Sequence, residues 1–327
     1  MLVPFLSVMK TRLTAIILLF LVSASAQARQ PADSVKLMFW NLENFFDFID
    51  QGTGESDTEF SSGGERHWTK KRFYSKCNSF AKAVLWLGSF QGGLPDAIGV
   101  AEVENAFVLQ QLINATALKK LDYAIVHYDS PDPRGIDCAL LYRSSRLKLV
   151  SSKPCRVSAP DLQTRDILLA QFITPSGDSL ALLVNHHPSK YGGGETDWRR
   201  ETAIGRLRFI SDSLDAEGWH SRIAVGDFND TADNDLFKRL EPSLNLPRYD
   251  ASLSRGSIRF NGEWQLIDLC FVSPDLADKT SFRAVPVPFL TARDAAHSGD
   301  KPLRTYSGPR WLGGVSDHLP ILVTAGP

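Results

Sequence analysis

The chain has 327 residues, 43% of them hydrophobic, and a formal net charge of −1. Such a length provides for one large domain or two small ones. The near-zero charge excludes long-range attraction to a polyanion as a property of the whole molecule.

Lys10 and Arg12 precede an apolar run from Leu13 to Val22, and Ala24, Ser25 and Ala26 follow it. This pattern predicts a secretory signal peptide over residues 1–26, since the run is shorter than the roughly 20 apolar residues of a membrane span. Met9 offers a second start to the same signal. The expectation is an exported protein, periplasmic or extracellular, with one domain over residues 27–327 and no stable membrane association. Losing residues 1–26 removes two positive charges and no acid, which takes the net charge from −1 to −3. Any grip on phosphates must then be local. Arg66, Lys70, Lys71, Arg72 and Lys76 form one basic cluster, and Lys190, Arg199, Arg200, Arg206 and Arg208 a second. Each reads equally well as a solvated helix face.

Strands are expected at Val35–Asn41, Ala97–Val103, Asp122–Asp129, Cys138–Arg143, Ile167–Thr174, Leu180–His186, Ile223–Asp227, Leu266–Val272 and Leu319–Thr324. Several are continuously apolar or β-branched, as strands within a layered sandwich are. Phe73, Cys77, Phe80, Val84 and Leu87 mark one amphipathic helix, and Ala203, Leu207, Ile210 and Leu214 a second. The Gly- and Ser-rich stretches 51–64 and 293–314 read as long surface loops. Cys77, Cys138, Cys155 and Cys270 show no CxxC spacing, so neither a zinc site nor a dense disulfide framework is expected. The order of elements predicts one α/β domain of mixed sheets with outer helices.

Polar residues gather where these strands end: Asn41, Glu102, Asn185-His186-His187, and Asp227 with Asn229. Asp268 interrupts an apolar strand, and Ser316-Asp317-His318 precedes the last one. Each alone has an ordinary structural reading, and Gly226-Asp227-Phe228-Asn229 serves as well for a turn. Together they suit one chemistry. Glu102, Asp317 and the Asn41 carbonyl are hard oxygen ligands of the kind that bind Mg²⁺ or Mn²⁺. Asp268 would hold His318 in one tautomer facing a phosphate oxygen. Asp227 would orient or deprotonate a water, and Asn229 would donate to it or to the phosphate.

The stretches Trp40-Asn41, Ala101-Glu102-Val103, Asn185-His186-His187, Gly226-Asp227-Phe228-Asn229, Ile267-Asp268 and Ser316-Asp317-His318 span about residues 35–325. In that order they resemble the motifs of the endonuclease/exonuclease/phosphatase superfamily, to which pancreatic-type deoxyribonuclease and the abasic-site endonucleases belong. The resemblance implies an α/β fold, a four-layer α/β/β/α sandwich of two packed mixed β-sheets flanked by helices. It implies metal ligation by Asn41 and Glu102 with Asp317, phosphate contacts from His187 and His318, an Asp268–His318 pair, and a nucleophile managed by Asp227 and Asn229.

The sequence departs from the family pattern in places. Ala101 stands where the family often has Gln, and Glu104, two residues on, would share a strand face with Glu102. Of the adjacent His186 and His187, His187 is expected to point inward. Lys190, Arg199 and Arg200 flank a glycine run and would reach substrate phosphates. The substrate expected is nucleic acid, DNA or RNA, cleaved by a secreted monomeric endonuclease of low sequence specificity. A phosphatase or lipid phosphodiesterase of the same superfamily is the alternative, and a non-catalytic binding descendant a third reading.

Overall fold

Alternation along the first strand sets the layers. In β1 (Val35–Phe45), Leu37 and Phe39 enter one core while Met38, Trp40 and Leu42 enter another. Successive side chains of a strand leave opposite faces, so a strand apolar on both sides must be covered on both. The computed structural model describes residues 34–326 except 53, 55, 191 and 192, and residues from Val35 onward form one unit. The expected signal peptide over residues 1–26 lies outside the described residues.

Eleven further strands complete two principal sheets: β2 (Ala97–Val103), β3 (Tyr123–His127), β4 (Asp137–Arg143), β5 (Lys148–Cys155), β6 (Ile167–Ile173), β7 (Ser179–His186), β8 (Arg222–Asp227), β9 (Arg248–Tyr249), β10 (Asp268–Val272), β11 (Thr280–Ala284) and β12 (Ile321–Ala325). The seven-stranded sheet has the order β3-β4-β2-β1-β12-β11-β9, and the five-stranded sheet β10-β8-β7-β6-β5. Both are mixed. β1 runs parallel to β2 and antiparallel to β12, while β7 runs parallel to β8 and β8 antiparallel to β10.

Among the described residues, three α-helices cover the outer faces. α1 (Lys70–Gln91) starts at Thr69, whose side chain accepts from the Arg72 N–H, and stops at Gly92, whose φ of 73° suits a residue without Cβ. Phe73, Cys77, Phe80, Val84 and Leu87 pack on the Met38–Trp40 side of the larger sheet, where Trp40 and Phe80 stack at 5.9 Å. α2 (Ala106–Asn114) joins them there through Val108, Leu109 and Leu112. α3 (Asp197–Ala216) lays Ala203, Leu207, Ile210 and Leu214 against the smaller sheet. Between the sheets, a Cβ on Gly99 would stand 3.2 Å from Phe39 and 3.3 Å from Val184, which fixes how closely the layers approach. The four-layer α/β/β/α sandwich is therefore present. No helix among the described residues is long and apolar enough to cross a membrane.

All four cysteines are free and buried. The expected loop over 293–314 contains two short hairpins, Thr291–Arg293 with Asp300–Pro302 and Tyr306–Ser307 with Arg310–Trp311.

Candidate active site

Three neighbouring strands bring their ends to one place. β7 ends on Asn185-His186 and β8 on Gly226-Asp227, while β10, running the other way, begins on Asp268. His186 pairs with Asp227, and Asp227 with Asp268, so the three side chains leave the same face of the sheet. Asp268 opens its strand instead of interrupting one, because an antiparallel neighbour starts where β8 stops. Gly226 has no substitute here, since a Cβ would sit 2.3 Å from the Asn185 carbonyl oxygen.

Asp227 is the centre. Its Oδ2 accepts from Asn41 Nδ2 at 3.0 Å, and its Oδ1 from the Asn229 N–H at 2.9 Å. His186 Nε2 lies 3.7 Å from Asp227 Oδ2, and His318 Nε2 lies 3.8 Å from the same oxygen. His318 is held by Asp268, with Nδ1 2.7 Å from Oδ2. The two imidazoles sit in opposite electrostatic surroundings. Burial, then the Arg165 charge, push the His186 pKa well below its ordinary value. Burial alone would lower His318 too, but Asp268 outweighs it by charge and hydrogen bond, with Asp227 and Asp317 adding, and raises His318 well above its ordinary value. Burial pushes Asp227 up to about 7, opposed by His318 and reinforced by Asp268.

The seven-stranded sheet supplies the facing acid. Register shifts at the ends of β1 and β2, and Glu102 sits at a φ of 61°, left-handed backbone that few non-glycine residues adopt. The distortion breaks strand alternation and parts Glu102 from Glu104. Glu102 Oε1 lies 3.3 Å from Asn41 Nδ2 and 3.8 Å from His186 Nε2, while Oε2 accepts from the Asn44 N–H at 2.8 Å. Glu104 accepts from the Asp47 N–H at 2.7 Å, in a cavity of about 740 Å³ lined by Asp47, Asn105 and Asp137.

Asp317 stands at the rim, 4.0 Å from His318 Nε2 and 3.1 Å from Arg304. Arg304 also contacts Glu43 at 2.9 Å. Beneath them the buried Lys76 donates to the Glu43 carbonyl at 2.8 Å and to Thr305 Oγ1 at 2.9 Å, with its ammonium 4.7 Å from the Phe45 ring. Burial pushes Lys76 down to about 8 against the pull of Glu43 and Glu102, and pushes Glu43 up to about 7.

Several expectations need correction. The inward ring is His186, not His187. His187 lies on the opposite side of the strand, packed 4.6 Å from the Phe228 ring with Nε2 toward Asn185. Asn229 leaves extended geometry at a φ of 51°, and its amide donates to the His187 carbonyl at 2.9 Å, so it braces the turn. Asn41 turns Nδ2 to both carboxylates and Oδ1 to the Glu43 N–H at 2.9 Å, so here it stands as a donor between two acids. Arg200 is buried and tied to Asp197 and Asp230, so it does not reach a substrate. Lys190 is half exposed but paired with Asp230 at 2.6 Å, and Arg199 is exposed. Lys76, placed in a basic surface cluster, is a core residue. Glu102, Asp227, Asp268, Asp317 and His318 do come together. Arg304 and Glu43 escaped the sequence reading, and His186 was passed over for its neighbour. Aligning the parallel ends Asn185-His186 and Gly226-Asp227 would have put His186 beside Asp227.

Asp227, Asp268 and His318 carry ligand-type atoms within 4.8 Å of one another. That trio is already joined by its own ion pair; Glu102 beside His186 and Asp317 beside His318 are the further carboxylates next to it. Carboxylate oxygens without a thiolate fit a hard divalent cation.

The sequence profile of the Endonuclease/Exonuclease/phosphatase family matches residues 36–326, and the chain belongs to that family of hydrolytic phosphoesterases. Solved structures of like fold include the human Nocturnin catalytic domain with bound sulfate, at 18% identity over 91% of this chain and 96% of that one, TM-score 0.56. A mannosyl-6-phosphatase of Bacteroides thetaiotaomicron matches at 17% identity over 90% of this chain and 100% of its own, TM-score 0.59. A truncated Caenorhabditis elegans TDP2 matches at 15% identity over 90% and 98%, TM-score 0.58. A search of curated protein sequences found no match.

Proposed function

We propose that this protein hydrolyses phosphodiesters with the help of Mg²⁺ or Mn²⁺, and that its substrate is DNA or RNA, cut with low sequence specificity. One observation carries the reading: a single carboxylate, Asp227, lies 3.7 and 3.8 Å from two imidazoles, one of them tied to Asp268, with Glu102 facing them. Hydrolysis of a phosphate ester needs an aligned water and positive charge on the non-bridging oxygens. Asp227 aligns the water and takes its proton, its own oxygens fixed by Asn41 and the Asn229 N–H. His318, kept charged by Asp268, donates to one non-bridging oxygen, and His186 approaches from the other side. A divalent cation held by Glu102 with Asp317 would supply further neutralising charge. Two histidines flanking one phosphate suit a diester, whose substituents extend along the cleft in both directions. The exposed Arg199 would be free to grip backbone phosphates, and Lys190 would have to leave Asp230 to do the same, contacts that position a strand without reading it. Export, argued from residues 1–26, would bring the enzyme to free nucleic acid.

The half-exposed Arg304 favours a second reading, since a guanidinium beside Asp317 suits the extra charge of a phosphomonoester. A single comparison decides: supercoiled plasmid, RNA, a sugar phosphate and a sphingomyelin vesicle, at equal enzyme with Mg²⁺ or with EDTA. Plasmid or RNA cleavage that EDTA abolishes is expected. Fast release of phosphate from the sugar phosphate while plasmid and RNA stay intact would replace the nuclease by a phosphatase, and full activity in EDTA would remove the metal.

A further inference from the structure

The two imidazoles beside Asp227 are held differently. His318 has Asp268 on its Nδ1 at 2.7 Å. His186 has no such support: its Nδ1 is buried with no hydrogen-bond partner, and its Nε2 stands 3.7 and 3.8 Å from the carboxylates, beyond a hydrogen bond. What is held is its backbone. Arg165, buried between β5 and β6, donates Nε to the His186 carbonyl at 3.2 Å and one terminal nitrogen to the His187 carbonyl at 2.6 Å. The other terminal nitrogen binds Asp132 Oδ2 at 2.8 Å, and Asp132 Oδ1 accepts from the Arg134 N–H at 3.0 Å. Asp132 is itself buried.

We propose that Arg165, anchored by Asp132, is the positioning residue for His186: by fixing both carbonyls at the end of β7 it aims an otherwise untethered ring at Asp227. Only a planar guanidinium has donors spread to meet two consecutive carbonyls and a carboxylate at once. The ring has one soft torsion beyond Cβ, so a small shift of the peptide plane moves Nε2 out of reach of a phosphate between it and His318. The inference rests on the site assigned above, and it adds a residue from a loop that touches no substrate.

Arg165→Lys tests it, because the ammonium keeps the charge beside Asp132 but cannot span three acceptors. With Mg²⁺ and the substrate found active, kcat falls about 10- to 100-fold while KM stays within about twofold, the scale at which supporting partners act. In a His186→Ala background the same substitution changes kcat no further, whereas a merely structural role would cost as much in either background. Asp132→Asn gives a smaller loss in the same direction, and decides the matter should Arg165→Lys not fold. A second readout needs no turnover: in ¹⁵N-labelled protein the His186 ring resonances shift or broaden in Arg165→Lys while those of His318 stay. Undisturbed His186 resonances, or equal losses in both backgrounds, overturn the inference. An inactive wild type whose His186 resonances do respond overturns the function proposed above and leaves the positioning role standing.

Discussion

Asp268 and His318 have one function between them. The carboxylate sets the tautomer and supplies the charge that keeps the imidazole protonated against its own burial. Asp268→Asn keeps the shape and removes the charge, so turnover should fall about 10²- to 10⁴-fold, the range expected for losing a proton-transfer group. His318→Ala should fall by a similar factor, and the double variant little further, measured as kcat on the active substrate. Additive losses would mean that the two act separately. The pair was legible in the sequence from residue type alone, since an acid in an apolar strand needs a partner. His186 was not, because choosing between adjacent histidines requires knowing which face of β7 is covered. Glu102 and Glu104 pose the same difficulty in another form. Alternation places them together, and only the left-handed backbone at Glu102 separates them.

Elements carry the site by ending where they do. β7 runs its alternation through to the last residues, so His186 meets Asp227 while His187 is pressed against Phe228 and buried. That burial, then the charges of Arg165 and Arg200, hold His187 down to about 3. An unfolded chain protonates the same ring near 6.5. The folded pKa is the lower one, so the stabilisation is fully present above about pH 6.5 and fades as pH falls toward 3. Between pH 7.5 and pH 5 this one ring should cost about 2 kcal/mol of unfolding free energy. Urea titrations at both pH values check it, with His187→Gln reducing the loss by that amount. An unchanged pH dependence in His187→Gln would show that the ring titrates normally. Strand ends were well placed by the sequence where apolar runs are long, as in β7 and β8. β5 and β11 were missed, since Lys148–Cys155 is an edge strand with polar residues among its apolar ones and most of its side chains facing solvent, and Thr280–Ala284 is short. α2 was missed because its nine residues give only about two and a half turns of periodicity.

At the scale of the molecule, the site is where the two sheets meet at one end. Asn41 and Glu102 come from the seven-stranded sheet, and His186, Asp227 and Asp268 from the five-stranded one. The hydrogen bond from Asn41 to Asp227 and the approach of His186 to Glu102 bridge the layers. The sandwich itself was legible, because strands apolar on both faces require cover on both. The closing loop was not: Arg304 arrives from the stretch 293–314, whose Gly and Ser content says nothing about where it folds back. Acids from the two sheets meet here, with Asn41 donating to Glu102 and Asp227 between them. A divalent cation bound at Glu102 should therefore stabilise the whole fold and not one loop. A ligand at about 100 times its Kd adds about 2.7 kcal/mol to unfolding, which for a chain of this size is a rise in Tm of about 4 °C. Differential scanning fluorimetry with increasing Mg²⁺ or Mn²⁺ measures this without any substrate. Glu102→Gln should abolish the rise. Glu104→Gln, whose carboxylate faces Asp47 and not the site, should keep the full rise. A rise that survives in Glu102→Gln and vanishes in Glu104→Gln would move the cation to the cavity lined by Asp47 and Asp137.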